Sequence, residues 1–151
     1  MRKAASTEDL IGVFSWPSEE TLNDMSKDRY ITSLHLVSHA QLGWLWSIQV
    51  NHHMRHRSEI LGCKGGGESQ LTKVGKTVRE VVMRCSDYVV QGLTMYDKEG
   101  RIVSKWGSEG SEDKEYTQQI PEGWAIVGLY GDYSPMGIMN LGFIIGKVLD
   151  I

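Results

Sequence analysis

The sequence has few of the features that mark disulfide scaffolds, secreted proteins or membrane spans. Of its 151 residues only two are cysteines, Cys63 and Cys85, which is too few for a disulfide framework. They either form one pair or remain two buried thiols. The N-terminus lacks the apolar run of a signal peptide, and no stretch approaches the ~18 apolar residues of a membrane span. We therefore expect a cytoplasmic, intracellular protein without a membrane span.

Positive charge is also not in excess. The chain carries 16 Lys and Arg against 19 Asp and Glu, a formal net charge of −3. Proteins that bind nucleic acids usually present a strongly basic face, because binding neutralises phosphates and releases their counterions. The charge balance therefore argues against a nucleic-acid partner.

Catalytic and metal-binding motifs are absent as well. Ser, His, Asp and Cys occur without a nucleophile elbow or a local pairing of nucleophile and base. Histidines fall at positions 52, 53 and 56, but no helical pattern places them on one face, and Arg55 and Arg57 would repel a cation. We expect a polar surface loop here, no metal, no cofactor and no enzymatic activity.

What the chain does contain is a strand pair that recurs three times. Each pair has two runs in which apolar residues alternate, which is the period of a pleated strand. Matching positions Ile31, Val78 and Ile126 lie 47 and 48 residues apart, which is typical of one supersecondary unit used repeatedly. The predicted pairs are 31–37 with 44–50, 78–85 with 89–96, and 124–130 with 138–145.

The connections between these strands and the chain start complete the plan. We predict tips at 40–43, at 86–87 and, in the third pair, over a seven-residue loop at 131–137. The segment 97–100 is predicted to be a hairpin connection with Gly100 at a positive φ. Residues 1–29 are predicted to hold an edge strand at 10–16 and a connection, and residues 30–151 one domain.

Three segments resemble jacalin-related lectins. IVGLYGDYSPMGIMNLGF resembles their closing segment, GCKGGGESQ their glycine-rich loop, and VREVVMRCSDYVVQGLTMYDKEG one of their strand pairs. The resemblance covers about residues 30–147 and identifies the chain as a divergent member of the family. It implies an all-β fold, the β-prism, in which three Greek-key sheets surround a pseudo-threefold axis.

The resemblance also implies a shallow sugar site built from backbone N–H groups, one carboxylate and an aromatic ring. The position that matches the family's aspartate is Met139, and the equivalent positions of the other two units are Trp46 and Gln91. Loss of a charged hydrogen-bond acceptor costs about one to two orders of magnitude in affinity. The carboxylate must then come from another position.

Asp132 in the third loop or Asp87 in the second tip could supply that carboxylate, with Tyr133 or Tyr88 stacking on the sugar. The competing interpretation is local hydrogen bonding at a turn and ordinary aromatic packing. Glycines let backbone donors approach a ligand without a Cβ in the way. The candidate sugar-binding residues are Gly65, Gly66, Gly67, Gly131, Asp132 and Tyr133.

Tryptophans offer a further prediction. Trp44 and Trp46 share a strand face with apolar residues, so we expect both to pack inward. Trp106 and Trp124 lie nearer loops and are candidates for exposed contact residues.

Two functions follow from these patterns. The first is a non-catalytic, jacalin-like carbohydrate-binding module with a glycan partner. The alternative is a β-prism scaffold or interaction subunit of an intracellular assembly, with a protein partner, an oligomeric state and no sugar-binding activity. Fold alone does not decide between them.

Overall fold

The computed structural model describes residues 12–17, 30–52, 57–86, 89–107 and 114–148, and within them every regular element is a strand. No helix in this part of the chain is long and apolar enough to cross a membrane. The strands are β1 (Gly12–Trp16), β2 (Ile31–Ser38), β3 (Leu45–His52), β4 (Leu61–Gly62), β5 (Ser69–Lys73), β6 (Glu80–Cys85), β7 (Val90–Tyr96), β8 (Ile102–Gly107), β9 (Lys114–Gln119), β10 (Trp124–Ser134) and β11 (Gly137–Lys147).

These strands form three antiparallel sheets. The first has the order β4-β3-β2-β5 and the second β8-β7-β6-β9. In both, three consecutive strands pair in turn and the fourth returns beside the first, which is the Greek-key arrangement. The third sheet has the order β1-β10-β11. The predicted plan of three strand pairs, one in each sheet, is confirmed.

The inner faces of the three sheets share one hydrophobic core. Alternate residues of the paired strands point to it, because successive side chains of a strand face opposite ways. Its fully buried members include Leu34, Leu36 and Ile48 from the first sheet, Leu93 and Met95 from the second, and Ile126, Leu129, Ile138 and Leu141 from the third.

The third strand pair is longer than the sequence pattern predicted. The loop predicted at 131–137 is wrong: β10 continues to Ser134 and β11 begins at Gly137, so the turn contains only Pro135 and Met136. Gly131 pairs with Leu141 and Asp132 with Asn140, and beyond a register shift the pairing continues to Ser134 and Gly137. Glycines and an aspartate favour turns, but here the close packing of two backbones outweighs that preference.

Two smaller predictions are confirmed. The predicted N-terminal strand forms at Gly12–Trp16, pairs with β10 and is the last strand of its sheet among the described strands. The first two residues of its predicted span, 10–11, lie outside the described residues. Gly100 has a φ of 76° in the β7–β8 connection.

Two aromatic side chains lie deeper than predicted. Trp106 was expected near the surface, but it is 3% exposed and belongs to the core, because it is an inward-facing residue of β8. His52 was placed in a polar surface loop, yet it ends β3, is buried, and packs against Trp16 at a ring distance of 5.7 Å. Trp124 is 36% exposed, in agreement with its prediction.

Candidate functional site

Each of the three sheets contains a β-bulge at the start of its second hairpin strand. The pairing skips Trp46 between β2 and β3, Gln91 between β6 and β7, and Met139 between β10 and β11. A bulge adds one unpaired residue, redirects its side chain, and occurs often beside binding sites. The three positions aligned from the sequence are therefore structurally equivalent.

The three bulge residues differ in exposure and chemistry. Met139 is 2% exposed, so the position that matches the family's aspartate is both apolar and buried. Gln91 and Trp46 are each half-buried. Among the three, Gln91 has the side chain with both a hydrogen-bond donor and an acceptor.

Three segments meet at one end of the molecule, which we call the prism end: residues 38–46, 62–67 and 134–138. The Cys63 thiol donates to the Ser134 carbonyl oxygen at 3.3 Å. Gly137 lies against Trp44, where an added Cβ would come within 3.2 Å of the indole ring. Burial raises the pKa of the Cys63 thiol, so this group stays protonated at neutral pH.

An aromatic row, formed by Trp46, His39 and Trp44, crosses the prism end. The His39 ring lies 5.1 Å from Trp46 and 5.2 Å from Trp44, measured between ring centroids. His39 Nδ1 accepts the backbone N–H groups of residues 41–42, each at 3.1 Å, and Trp46 Nε1 donates to the Lys64 carbonyl oxygen at 3.1 Å. These bonds hold two of the three rings in place.

The expectation that Trp44 and Trp46 pack into the core is wrong. Both are half-buried and neither belongs to the core cluster. The bulge at Trp46 breaks the alternation of β3, so that Leu45, Ser47 and Ile48 are all buried. A period-two pattern cannot reveal such a break.

One cleft of the prism end combines an aromatic wall with the second bulge residue. It has a volume of about 160 Å³ and is lined by Leu42, Gly43, Trp44 and Gln91. Leu42 is 60% exposed and forms an apolar rim. The Gln91 amide and the Trp44 ring supply the kinds of group that contact the hydroxyls and the C–H face of a small polar ligand.

The glycine bend, residues 65–67, lies on the other side of the aromatic row. Gly65 and Gly66 have φ values of 79° and 117°, which favour glycine. A Cβ on Gly66 would come within 2.8 Å of the Trp46 ring. The Gly67 N–H donates to Ser38, whereas those of Gly65 and Gly66 have no acceptor among the described residues.

Gly131, Asp132 and Tyr133 do not lie at a loop tip but within β10. Asp132 Oδ1 accepts a hydrogen bond from Asn140 Nδ2 at 2.8 Å. Tyr133 packs against the core and lies 6.4 Å from the Phe14 ring. Neighbouring residues of a strand face opposite sides, so Asp132 and Tyr133 point to different faces of β10, and their role in sugar binding stays a prediction. Asp87 and Tyr88, the alternative pair, lie outside the described residues.

Nothing in the sequence pattern indicated His39 or the aromatic row. Trp44 and Trp46 were noticed as a pair, but their strand pattern favoured the core. The signal that pointed to the cleft was the alignment of Gln91 with the family's aspartate position. Among the described residues, no group of three or more His, Cys, Asp or Glu side chains is placed to hold a metal ion.

No family model matches the sequence, and no curated protein matches it. Solved structures do match. A prostate-specific WGA16 glycoprotein lectin is 22% identical, with 91% of each chain covered and a TM-score of 0.69. The Calystegia sepium agglutinin is 10% identical, with 90% of this chain and 89% of that chain covered and a TM-score of 0.63.

The chain has the β-prism fold of jacalin-related lectins. The fold that the sequence resemblance implied is therefore confirmed. A third match is the V. cholerae biofilm matrix protein Bap1, which is 15% identical with a TM-score of 0.58. It covers 91% of this chain but 23% of Bap1, so the β-prism matches one part of that longer protein.

Proposed function

We propose that this β-prism is a non-catalytic carbohydrate-binding module whose sugar site is the cleft of the prism end. The observation that carries the proposal is the position of Gln91. It is the bulge residue equivalent to the family's aspartate position, and it lines a cleft together with the Trp44 ring. Two of the proteins with similar structures are a lectin and an agglutinin, which supports the same function.

Each group has a defined role in this proposal. The Trp44 ring packs on the C–H face of the sugar, where an aromatic ring removes apolar surface from water. The Gln91 amide donates to one hydroxyl and accepts from its neighbour. On the far side of the aromatic row, the N–H groups of Gly65 and Gly66, which have no acceptor among the described residues, bind further hydroxyls of a longer glycan.

The amide sets the expected strength of binding. A hydrogen bond between neutral groups contributes about 1 kcal/mol, whereas one to a charged group contributes about 1.5–3 kcal/mol. Replacing the aspartate by Gln91 therefore weakens the site by about tenfold but does not abolish it.

A glycan array tests the proposal. We expect the wild-type chain to retain a defined set of glycans and the Trp44→Ala variant to lose those that bind at the prism end. Trp124→Ala is the matched control. Trp124 is the first residue of the eleven-residue strand β10, so it lies at the opposite end of that strand from the turn at 135–136. An unchanged set of retained glycans in Trp44→Ala would place the sugar elsewhere.

The alternative function is a β-prism scaffold or interaction subunit that binds a protein partner or forms an oligomer. The absence of a carboxylate at all three bulge positions favours it. In that case the folded chain gives a blank array and co-purifies with another chain or sediments as an oligomer. A blank array for a folded protein would make this alternative the leading account.

A further inference from the structure

We infer that the chain has a second sugar-binding site, separate from the prism end, in the cleft between β1 and residues 59–62. This edge cleft has a volume of about 360 Å³ and runs between the edges of two different sheets. Tyr133 forms part of its lining. The inference goes beyond the proposed function because the edge cleft uses other residues and a different polar group.

Strand edges that pair with no other described strand border the edge cleft on both sides. Among the described strands, β1 pairs with β10 and β4 pairs with β3, so each is the last strand of its sheet. The outer edge of such a strand presents N–H and C=O groups that seek partners. Hydroxyl groups of a ligand can accept hydrogen bonds from these N–H groups and donate hydrogen bonds to these C=O groups.

A free carboxylate completes the polar lining. Glu59 is exposed, and its side chain forms no ion pair or hydrogen bond with any described residue. Carboxylates accept two hydrogen bonds from neighbouring hydroxyls, and these charge-assisted bonds are stronger than neutral ones. The acceptor that the prism end lacks is therefore available here.

Apolar side chains flank this carboxylate. Val13 is 77% exposed and Ile60 58% exposed, one on each side of the edge cleft. The Tyr133 ring adds an aromatic surface with a hydroxyl at its end. A ligand with a ring of C–H groups and several hydroxyls matches this mixture, which is the chemistry of a neutral sugar.

Other ligands fit less well. An added peptide strand would need its two neighbours about 9.5 Å apart, twice the normal strand spacing. The Cα atoms of β1 and β4 approach within 8 Å, so the gap is too narrow. An anionic sugar would be repelled by Glu59, and one carboxylate is too few for a calcium ion.

Nuclear magnetic resonance of the ¹⁵N-labelled chain tests the inference. The probes are the methyl glycosides of glucose, mannose and galactose, added separately. We expect at least one to cause saturable shifts in the amide signals of residues 13–15 and 59–62. Glu59→Gln should weaken this binding about tenfold, since it removes the charge and keeps the shape. Glu122→Gln, an exposed carboxylate before β10, should leave it unchanged.

Two results would overturn the inference. One is no saturable shift at residues 13–15 and 59–62 with any of the three glycosides, and the other is shifts there whose affinity in both Glu59→Gln and Tyr133→Phe equals that of the wild type. The signals of residues 42–44 and Gln91 report on the prism end in the same spectra. Failure of the proposed function is therefore seen separately from failure of this inference.

Discussion

Gln91, Trp46 and Met139 occupy the same place in three sheets but differ in what they can bind. The bulge turns each of them out of the strand ladder, yet Met139 is buried and Trp46 is tied through its Nε1 to Lys64. Among the three, Gln91 lines the cleft of the prism end. Site chemistry is therefore decided by one side chain on a repeated backbone.

This account predicts that Gln91→Asp strengthens sugar binding. The carboxylate would form charge-assisted hydrogen bonds where the amide forms neutral ones, which raises affinity by about tenfold. Calorimetric titration with the glycan that binds most strongly on the array measures the change in affinity. Gln91→Ala should bind this glycan more weakly than both the wild type and Gln91→Asp. Equal sugar affinity of Gln91→Asp and Gln91→Ala would show that Gln91 does not contact the sugar.

Gly131 has a structural role rather than a role at a loop tip. An added Cβ would lie 2.1 Å from the Asn140 carbonyl oxygen and 2.7 Å from the Phe14 ring. We expect Gly131→Ala to lower the free energy of unfolding by about 2–3 kcal/mol, because the neighbouring backbone cannot yield.

Urea denaturation measures this change, and Gly146→Ala is its matched control. The Cβ of that variant would lie 3.2 Å from Val127 methyl groups, which can adjust, so its loss should be smaller. Equal losses in the two variants would show that close packing at Gly131 is not the cause.

At the scale of elements, the β7–β8 hairpin is held by one carboxylate. Asp97 Oδ1 accepts the N–H groups of Glu99 and Arg101, both at 2.9 Å, and Oδ2 accepts Arg101 Nε at 3.1 Å. The backbone N–H of Arg101 is the main cause that lowers the pKa of Asp97, and its guanidinium adds to the effect. The charged form is therefore the one the hairpin favours.

We expect Asp97→Asn to destabilise the chain at neutral pH but not in acid. A folded-state pKa below the ordinary value of about 3.9 contributes stability above that value and loses it as the pH falls through the folded-state pKa. Urea midpoints of wild type and variant at neutral and acidic pH measure the difference. Glu99→Gln, which removes only an exposed 3.3 Å ion pair, should change neither midpoint. A difference between the urea midpoints of wild type and Asp97→Asn that persists in acid would contradict the role of the charge.

The elements also show which features the sequence could predict. Period-two alternation and a repeat of about 48 residues sufficed for the three hairpins, because each strand has one buried face. The same alternation misplaced Trp44 and Trp46, since a bulge shifts the faces without any local signal. Residues 131–134 are of types that favour turns, so the sequence pattern predicted a loop there. They form a strand because they pair with β11, including Asn140 and Leu141, and that pairing is not visible in the local sequence.

At the scale of the whole molecule, the three sheets contribute to one core. Leu36, Leu93 and Leu141 come from different sheets, and each is fully buried in the same cluster. A shared core makes the sheets depend on one another, so the chain should unfold in a single transition.

We therefore expect Leu36→Ala, Leu93→Ala and Leu141→Ala each to cost about 2–5 kcal/mol, the usual range for a buried leucine. Circular dichroism and tryptophan fluorescence should report the same urea midpoint for every variant. Leu71→Ala is the control, because Leu71 is 59% exposed. Separate midpoints for the two probes would mean that the sheets unfold independently.

The most direct test of the central claim, sugar binding at the prism end, is titration calorimetry of wild type and Trp44→Ala with the strongest array glycan. The account predicts saturable binding at about 1 mM or tighter, weakened at least about tenfold by Trp44→Ala. Heat that saturates equally in both proteins, or no saturable heat in the folded wild type, would contradict it.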